Sequence, residues 1–241
     1  MKFYQSSLLN QFPDLLHTFT TKKDGNIAFH VGEDKKSVLV AHKLLGEKHS
    51  YDSRTLIHMK QIHSNKVHIV TENESFEYPP SCDALVTNKK NTPLMVMVAD
   101  CSALLFYDNV QKVIGVVHAG RAGAFNNIVQ NLLDVFTQEF HSKTKDIYVS
   151  ISPAICQNCY EVGKEIEQEA KSLNLEYAIK KEQERYYLNI RAILEKQLLQ
   201  GGLQKEHIEV SPLCNACNTQ TYYSYRKEGQ TGRFSGVLML K

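Results

Sequence analysis

No stretch of this 241-residue chain approaches the roughly 18 uninterrupted apolar residues of a membrane span, although 42% of its residues are hydrophobic. An excess of charge of one sign is also missing. The 28 Lys and Arg stand against 26 Asp and Glu with no long basic block, which leaves no general electrostatic footprint for nucleic acid. The opening residues, MKFYQSSLLNQFPDLLHTF, have neither the compact apolar core nor the small-residue cleavage site of a secretory signal. Internal repeats, low-complexity tracts and linkers are absent as well. What remains is the expectation of a single domain over 1–241, in a cytoplasmic, reducing compartment, with small molecules as partners. Membrane and nucleic acid are excluded as expected partners, and the oligomeric state stays open.

In a reducing compartment the six cysteines read as thiols or metal ligands rather than disulfides. Four of them form two C-x-x-C pairs, Cys156 with Cys159 and Cys214 with Cys217, of the kind found in structural zinc knuckles. The segment between the pairs is much longer than the roughly 15 to 20 residues of a compact zinc ribbon. Two readings stay open, a four-cysteine structural site and reduced thiols beside a pocket. A thioredoxin-like redox pair is not expected, because neither pair follows a strand and opens a helix.

Apolar runs rich in β-branched or aromatic residues predict strands near 55–59, 66–71, 94–98, 103–107, 113–117, 146–151, 207–211, 222–225 and 234–240. Helical periodicity marks 124–140, 161–174 and 188–200, the last stopping before a C-cap at Gly201 and Gly202. Further helices are expected near 5–11 and 36–46, the second opened by Glu33 and Asp34. The runs 94–98, 103–107 and 113–117 are too close together for helical crossovers, so they should pair antiparallel. The predicted class is therefore α+β, with mixed sheets flanked by helices. Pro79 and Pro80 make 72–82 a surface loop that borders the site. The final stretch, YYSYRKEGQTGRFSGVLML, reads as a hairpin closed by a turn at Gly229 and Gly232.

The chemistry concentrates in ADCSALLFYDNVQKVIGVVHAGRAG, where Cys101 and His118 each stand at the mouth of a short apolar run. A polar side chain at a strand end is aimed into a cleft. His63, in QIHSNKV, lies at another strand boundary, so two imidazoles and one thiolate form a candidate soft N/S ligand set. Each alone also fits a packing role. Gly120 and Gly123 allow close backbone approach to a ligand, and the following helix start favours an anion such as phosphate, which Arg121 would pair with. The loop lacks Walker and GxGxxG spacing, so an ordinary strand-to-helix turn remains an alternative. Asp83 and Asp100 are candidates to orient a ligand or cap a turn, and Asp83 also to contact substrate. Tyr225 and Arg226 are placed to stack on and grip a planar polar ligand, with edge-strand packing as the plainer role. His58 and the other histidines read as core or surface residues.

Taken in order, QIHSNKV, CDALVTN, PLMVMVADCSALLFYD, VIGVVHAGRAGAFNNIV, ISPAICQNCYEVG and YYSYRKEGQTGR resemble the YfiH/DUF152 family, called polyphenol oxidases or laccase-domain proteins in older usage. The resemblance runs from about Leu56 to the C-terminus. It implies a YfiH-like α+β domain with one zinc held by His63, Cys101 and His118. It also implies purine nucleoside phosphorylase activity on adenosine, inosine, guanosine and methylthioadenosine, with adenosine deamination, so that purine nucleosides and phosphate become the expected partners. Three departures bear on the site. The family's HAGWRG is HAGRAG here, an Asn-Arg helix pair is replaced by Ala41 and His42, and a threonine gives way to Asn215. Copper-dependent phenol oxidation is a competing reading, less favoured because the remaining histidines are scattered. A non-enzymatic zinc-stabilised binding module is another.

Overall fold

The computed structural model describes residues 4–241. Strand β1 (Leu15–Phe19) precedes α1 (Lys35–His49), whose first turn is capped by Asp34 accepting from the Ser37 amide. Five strands follow: β2 (Val67–Ile69), β3 (Ala84–Thr87), β4 (Leu94–Val98), β5 (Ser102–Asp108) and β6 (Val113–Ala119). The single-turn α2 (Arg121–Phe125) leads into α3 (Ile128–Phe140), and then come β7 (Ile147–Ile151), β8 (Glu161–Val162) and α4 (Lys164–Ser172). The chain ends with β9 (Ile179–Glu182), β10 (Arg185–Leu188), α5 (Ile190–Gln200), β11 (Ile208–Val210), α6 (Tyr225–Glu228) and β12 (Phe234–Leu240).

Strand alternation sorts these elements into layers. In the six-stranded mixed sheet, ordered β11-β7-β5-β6-β3-β2, one face of β5 presents Leu104 and Phe106 to a core shared with Ile128, Leu132 and Phe136 of α3 and Ile193 and Leu198 of α5. The opposite face, with Leu105 and Tyr107, meets Leu94, Val96 and Val98 of a second, antiparallel sheet ordered β1-β12-β4. The outer face of that small sheet, Met95, Met97, Val237 and Met239, is covered by Ala41 and Leu45 of α1. Helix, sheet, sheet and helix thus stack in four layers. A third antiparallel sheet, β8-β10-β9, packs Leu188, Val162 and Ile179 against the core that the large sheet shares with α3 and α5.

The α+β class with mixed sheets holds, and several expected elements differ. β5 and β6 pair antiparallel, but β4 belongs to the small sheet and pairs with β12. Asp100, at φ 90, turns the chain from one sheet to the other, and three equally apolar runs carry no mark of that switch. The helix expected over 124–140 is broken at Asn126 and Asn127; Asn127 is left-handed at φ 51 and caps α3 by accepting from the Gln130 amide. Residues 161–162 form the short strand β8, and the helix there starts after Gly163. Near 5–11 only a 3-10 turn forms, at Leu9–Gln11, and the run 55–59 contributes a single bridge, Ile57 to Leu94. The strand expected at 222–225, and with it the terminal hairpin, is absent, because Tyr222 is spent as a core plug and Ser224 caps the α6 turn. The patterns of β1, β9 and β10 are interrupted by polar residues and gave no strand signal.

Phe136 is fully buried against Phe106, with ring centroids 6.3 Å apart. Phe136→Ala is expected to destabilise the fold by about 3–5 kcal/mol, measured as a fall in the denaturation midpoint at unchanged slope.

Candidate functional site

The β5–β6 register sets two of the candidate residues side by side. Ser102 faces Ala119, so Cys101 and Gly120 are the next pair beyond the ladder and His118 sits one step inside it. A Cβ on Gly120 would come within 2.7 Å of the Cys101 sulfur, so the glycine is required by that sulfur's position. His63 arrives from a loop, in a left-handed conformation at φ 58. Gln61 anchors this loop to the small sheet, donating from Nε2 to the Met97 carbonyl at 2.8 Å and accepting the Met97 amide at 2.9 Å.

Asp83 anchors it to the large sheet. This fully buried carboxylate, just before β3, accepts from the amides of Ile62 (3.3 Å), His63 (3.0 Å) and Ser64 (2.6 Å) and from the Ser64 hydroxyl (2.8 Å). It also takes the His118 Nδ1 proton at 2.8 Å, which leaves His118 Nε2 free for a ligand. One ligand atom each from His63, Cys101 and His118 lies within 4.8 Å of the others, and the His63 and His118 rings meet edge to face at 4.9 Å. The three residues that the sequence singled out converge.

Charge at the site follows from this packing. Burial opposes ionisation of Cys101, but the adjacent His118 and hydrogen bonds from both histidines outweigh it and bring the thiol down to about 6. Burial likewise opposes a charged His118, and the Cys101 thiolate with Asp83 overcomes it, raising the imidazole to about 9. Asp83 is itself depressed to about 2: desolvation is outweighed by its bonds to His118 and Ser64. Without metal the pair is therefore thiolate and imidazolium between about 6 and 9.

All three residues line a cleft of about 800 Å³, within the range of small-molecule sites. One part of its wall is aromatic: Phe29 and His58 line it, backed by Phe76 and by His42, which stacks on Phe29 at 5.6 Å. Another is cationic, with Lys60, Arg121, Arg226 and Arg233. Gly120 and exposed Tyr225 also line the cleft, and Pro79 brings the 72–82 loop to its edge. Gly123 does not; it is buried in α2 against the His118 carbonyl, Ile128 and the Ser64 carbonyl. α2 is one turn long, and Arg121 within it is already paired with Glu169 at 2.6 Å. Asp83 lies beneath the ligands rather than in the cleft. Asp100 also lines the cleft, and its carboxylate is taken by Asn215 Nδ2 (2.8 Å), Ser224 Oγ (2.7 Å) and the Arg226 amide (2.6 Å). The Arg226 guanidinium lies over the Tyr160 ring at 4.9 Å and donates to the Glu161 carbonyl.

Sequence reading missed Arg233, Phe29, His30, Gln61 and Tyr160, and placed His58 outside the site. Arg233 ends the GQTGR stretch and was legible there as a cation beside a glycine turn; Gln61 and Tyr160 stand inside QIHSNKV and ISPAICQNCYEVG without a mark of their own, and Phe29 and His30 come from a distant segment.

A family model described as multi-copper polyphenol oxidoreductase laccase matches residues 19–241. The chain belongs to this family. Its relatives include a Bacillus subtilis protein named purine nucleoside phosphorylase YlmD, 29% identical over 95% of this chain and 89% of that one. A Corynebacterium glutamicum protein, also named a purine nucleoside phosphorylase, is 32% identical over 92% and 93%. Among family structures, that of Bacillus licheniformis YfiH superposes with a TM-score of 0.91 at 27% identity, covering 97% of this chain and 94% of that one. The fold is thus the YfiH fold.

Two outcomes are expected. In metal-free protein, alkylation of Cys101, read on its own peptide by mass spectrometry, should titrate with a midpoint near 6, and His118→Ala should move that midpoint upward. The sign follows from the depressed thiol: its ionised form is lost as pH falls through about 6, while the imidazolium partner is lost as pH rises through about 9. Asp83→Asn should weaken metal binding about 10- to 100-fold by competition titration, since it removes the charge that fixes His118.

Proposed function

We propose that this chain is a zinc-dependent purine nucleoside phosphorylase acting on adenosine, inosine, guanosine and methylthioadenosine, with adenosine deaminase activity at the same site, the whole of 1–241 forming one catalytic unit. The observation that carries the proposal is the presence, in one cleft, of a His63–Cys101–His118 donor set beside an aromatic wall and a cationic one. The relatives named as purine nucleoside phosphorylases support the reaction class.

The donor residues fit zinc. Two imidazoles and a thiol biased toward its ionised form match the preference of zinc for nitrogen and sulfur, and three protein ligands leave a fourth position open. His63, Cys101 and His118 would hold it, and bound zinc supplies Lewis acidity at the cleft. Multi-copper chemistry calls for further histidine clusters. Among the described residues only one other group of possible ligands converges, and it is all cysteine.

In phosphorolysis a phosphate oxygen attacks ribose C1′, the bond from C1′ to the purine breaks, and its electron pair leaves with the base. Charge must be balanced at both ends. Arg233 suits the phosphate end: its guanidinium donates from one Nη to the Thr231 and Gly232 carbonyls, leaving Nε and the other Nη uncommitted among the described residues. Lys60 and Arg226 add positive charge around it. Phe29 and His58, the latter held neutral mainly by burial, offer flat faces to the purine. Deamination uses the same base pocket: a water oxygen bonds to purine C6, the bond from C6 to the amino nitrogen breaks, and the nitrogen leaves as ammonia.

Purified protein incubated with adenosine should yield adenine and ribose 1-phosphate only when phosphate is supplied, and inosine with or without it. Failure to form any of these products overturns the reading. Cys101→Ala should lose both activities, whereas Arg233→Ala should raise the KM for phosphate by about 10- to 100-fold, the worth of a charged hydrogen bond.

A further inference from the structure

The second convergent group lies outside the cleft and belongs to the two C-x-x-C pairs. Cys156 and Cys159 follow β7, in the segment that includes Pro153 to Tyr160; Cys214 and Cys217 follow β11. One sulfur from each residue lies within 4.8 Å of the other three. No strand pairing joins the two segments at this point, yet Ile155, Cys214 and Ala216 pack as one small cluster flanked by Cys156, Cys159 and Tyr160.

The spacing selects among the things four cysteines can do. The Cys159 and Cys217 sulfurs are 3.4 Å apart, well beyond the roughly 2.05 Å of a disulfide bond. Four thiolates around one zinc, with Zn–S bonds of about 2.3 Å, form a tetrahedron with edges of about 3.8 Å. An iron–sulfur cluster, with inorganic sulfide inside it, would hold the cysteine sulfurs further apart than a single ion does. The backbone is also arranged for sulfur ligands. The Cys156 amide donates to the Cys214 sulfur at 3.2 Å, so a backbone group of one pair already reaches a sulfur of the other. Amide hydrogen bonds of this kind stabilise sulfur as thiolate.

We propose that Cys156, Cys159, Cys214 and Cys217 bind a structural zinc ion, separate from any metal at His63, Cys101 and His118. The ion clips the segment after β7 to the segment after β11. Binding deprotonates the four thiols, with their protons released to solvent, and involves no redox step. Asn215, between two of the ligands, donates to Asp100 and to the Tyr223 carbonyl at 2.8 Å each, so the clip sits directly behind the turn that carries Arg226.

The proposal is independent of the enzymatic reading and is tested apart from it. In a His63→Ala/Cys101→Ala variant, which lacks the cleft donors, the full chain should still bind one equivalent of zinc by elemental analysis. Cobalt loaded into it should show the visible bands and thiolate charge transfer of a tetrahedral all-sulfur site. Cys159→Ser/Cys217→Ser should lose that equivalent and that spectrum; if this protein is insoluble, the first variant alone decides. Retention of no metal by His63→Ala/Cys101→Ala, a single bound iron in place of zinc, or disulfides among the four cysteines in freshly isolated protein would each overturn the proposal.

Discussion

The buried carboxylate of Asp83 is the point at which fold and site become one object. It is a fully buried ionised group, kept charged because it accepts the amides of three consecutive loop residues, a hydroxyl and an imidazole N–H. Those bonds oblige the 60–66 loop to curl around it and present His63, and they fix which nitrogen of His118 faces outward. A buried charge satisfied by so many donors is costly to disturb, so the geometry above it is held by electrostatics rather than by the loop's own conformational preference. His63 in fact adopts a left-handed backbone that its side chain does not favour.

Around that point the rest of the architecture acts as support. β5 and β6 are buried on both faces, and their antiparallel register is what brings Cys101 beside Gly120 and His118. The glycine leaves room for a sulfur where any other residue would place a β-carbon. Histidine and thiol then tune each other, each stabilising the charged form of its neighbour against the cost of burial. The cleft walls come from segments far apart in the chain, Phe29 and His58 among them with the 225–233 segment, and the last is tied to the first by the Arg233 amide donating to Asn26 and by Gln230 donating to the Val31 carbonyl.

How much of this the sequence disclosed depended on whether a residue carried its own local signal. Cys101 and His118 did, since each interrupts an apolar run at its end, and the α+β class followed from runs too close together for crossovers. The sheet switch at Asp100 did not, because β4 and β5 are equally apolar and only a backbone angle separates them. Asp83 was singled out as a possible orienting group, but its five partners become visible only when the 60–66 loop is folded onto it. Tyr222 and Tyr225 look alike in sequence; one is a core plug and the other is exposed at the cleft, a difference made by tertiary packing alone. The HAGRAG variation places Arg121 in an ion pair with Glu169, so a side chain read as an anion partner is engaged with α4 instead.

The Gln61 amide, bonded to both backbone groups of Met97, has a consequence for the whole layered arrangement. The segment that bears His63 is stitched at one end to the small sheet and at the other to the large one, while Cys101 and His118 ride on the large sheet only. The donor triad therefore straddles the seam between two β layers. Any slippage of one layer over the other would register first as a change in donor spacing, which makes the site a gauge of how firmly the sandwich is closed.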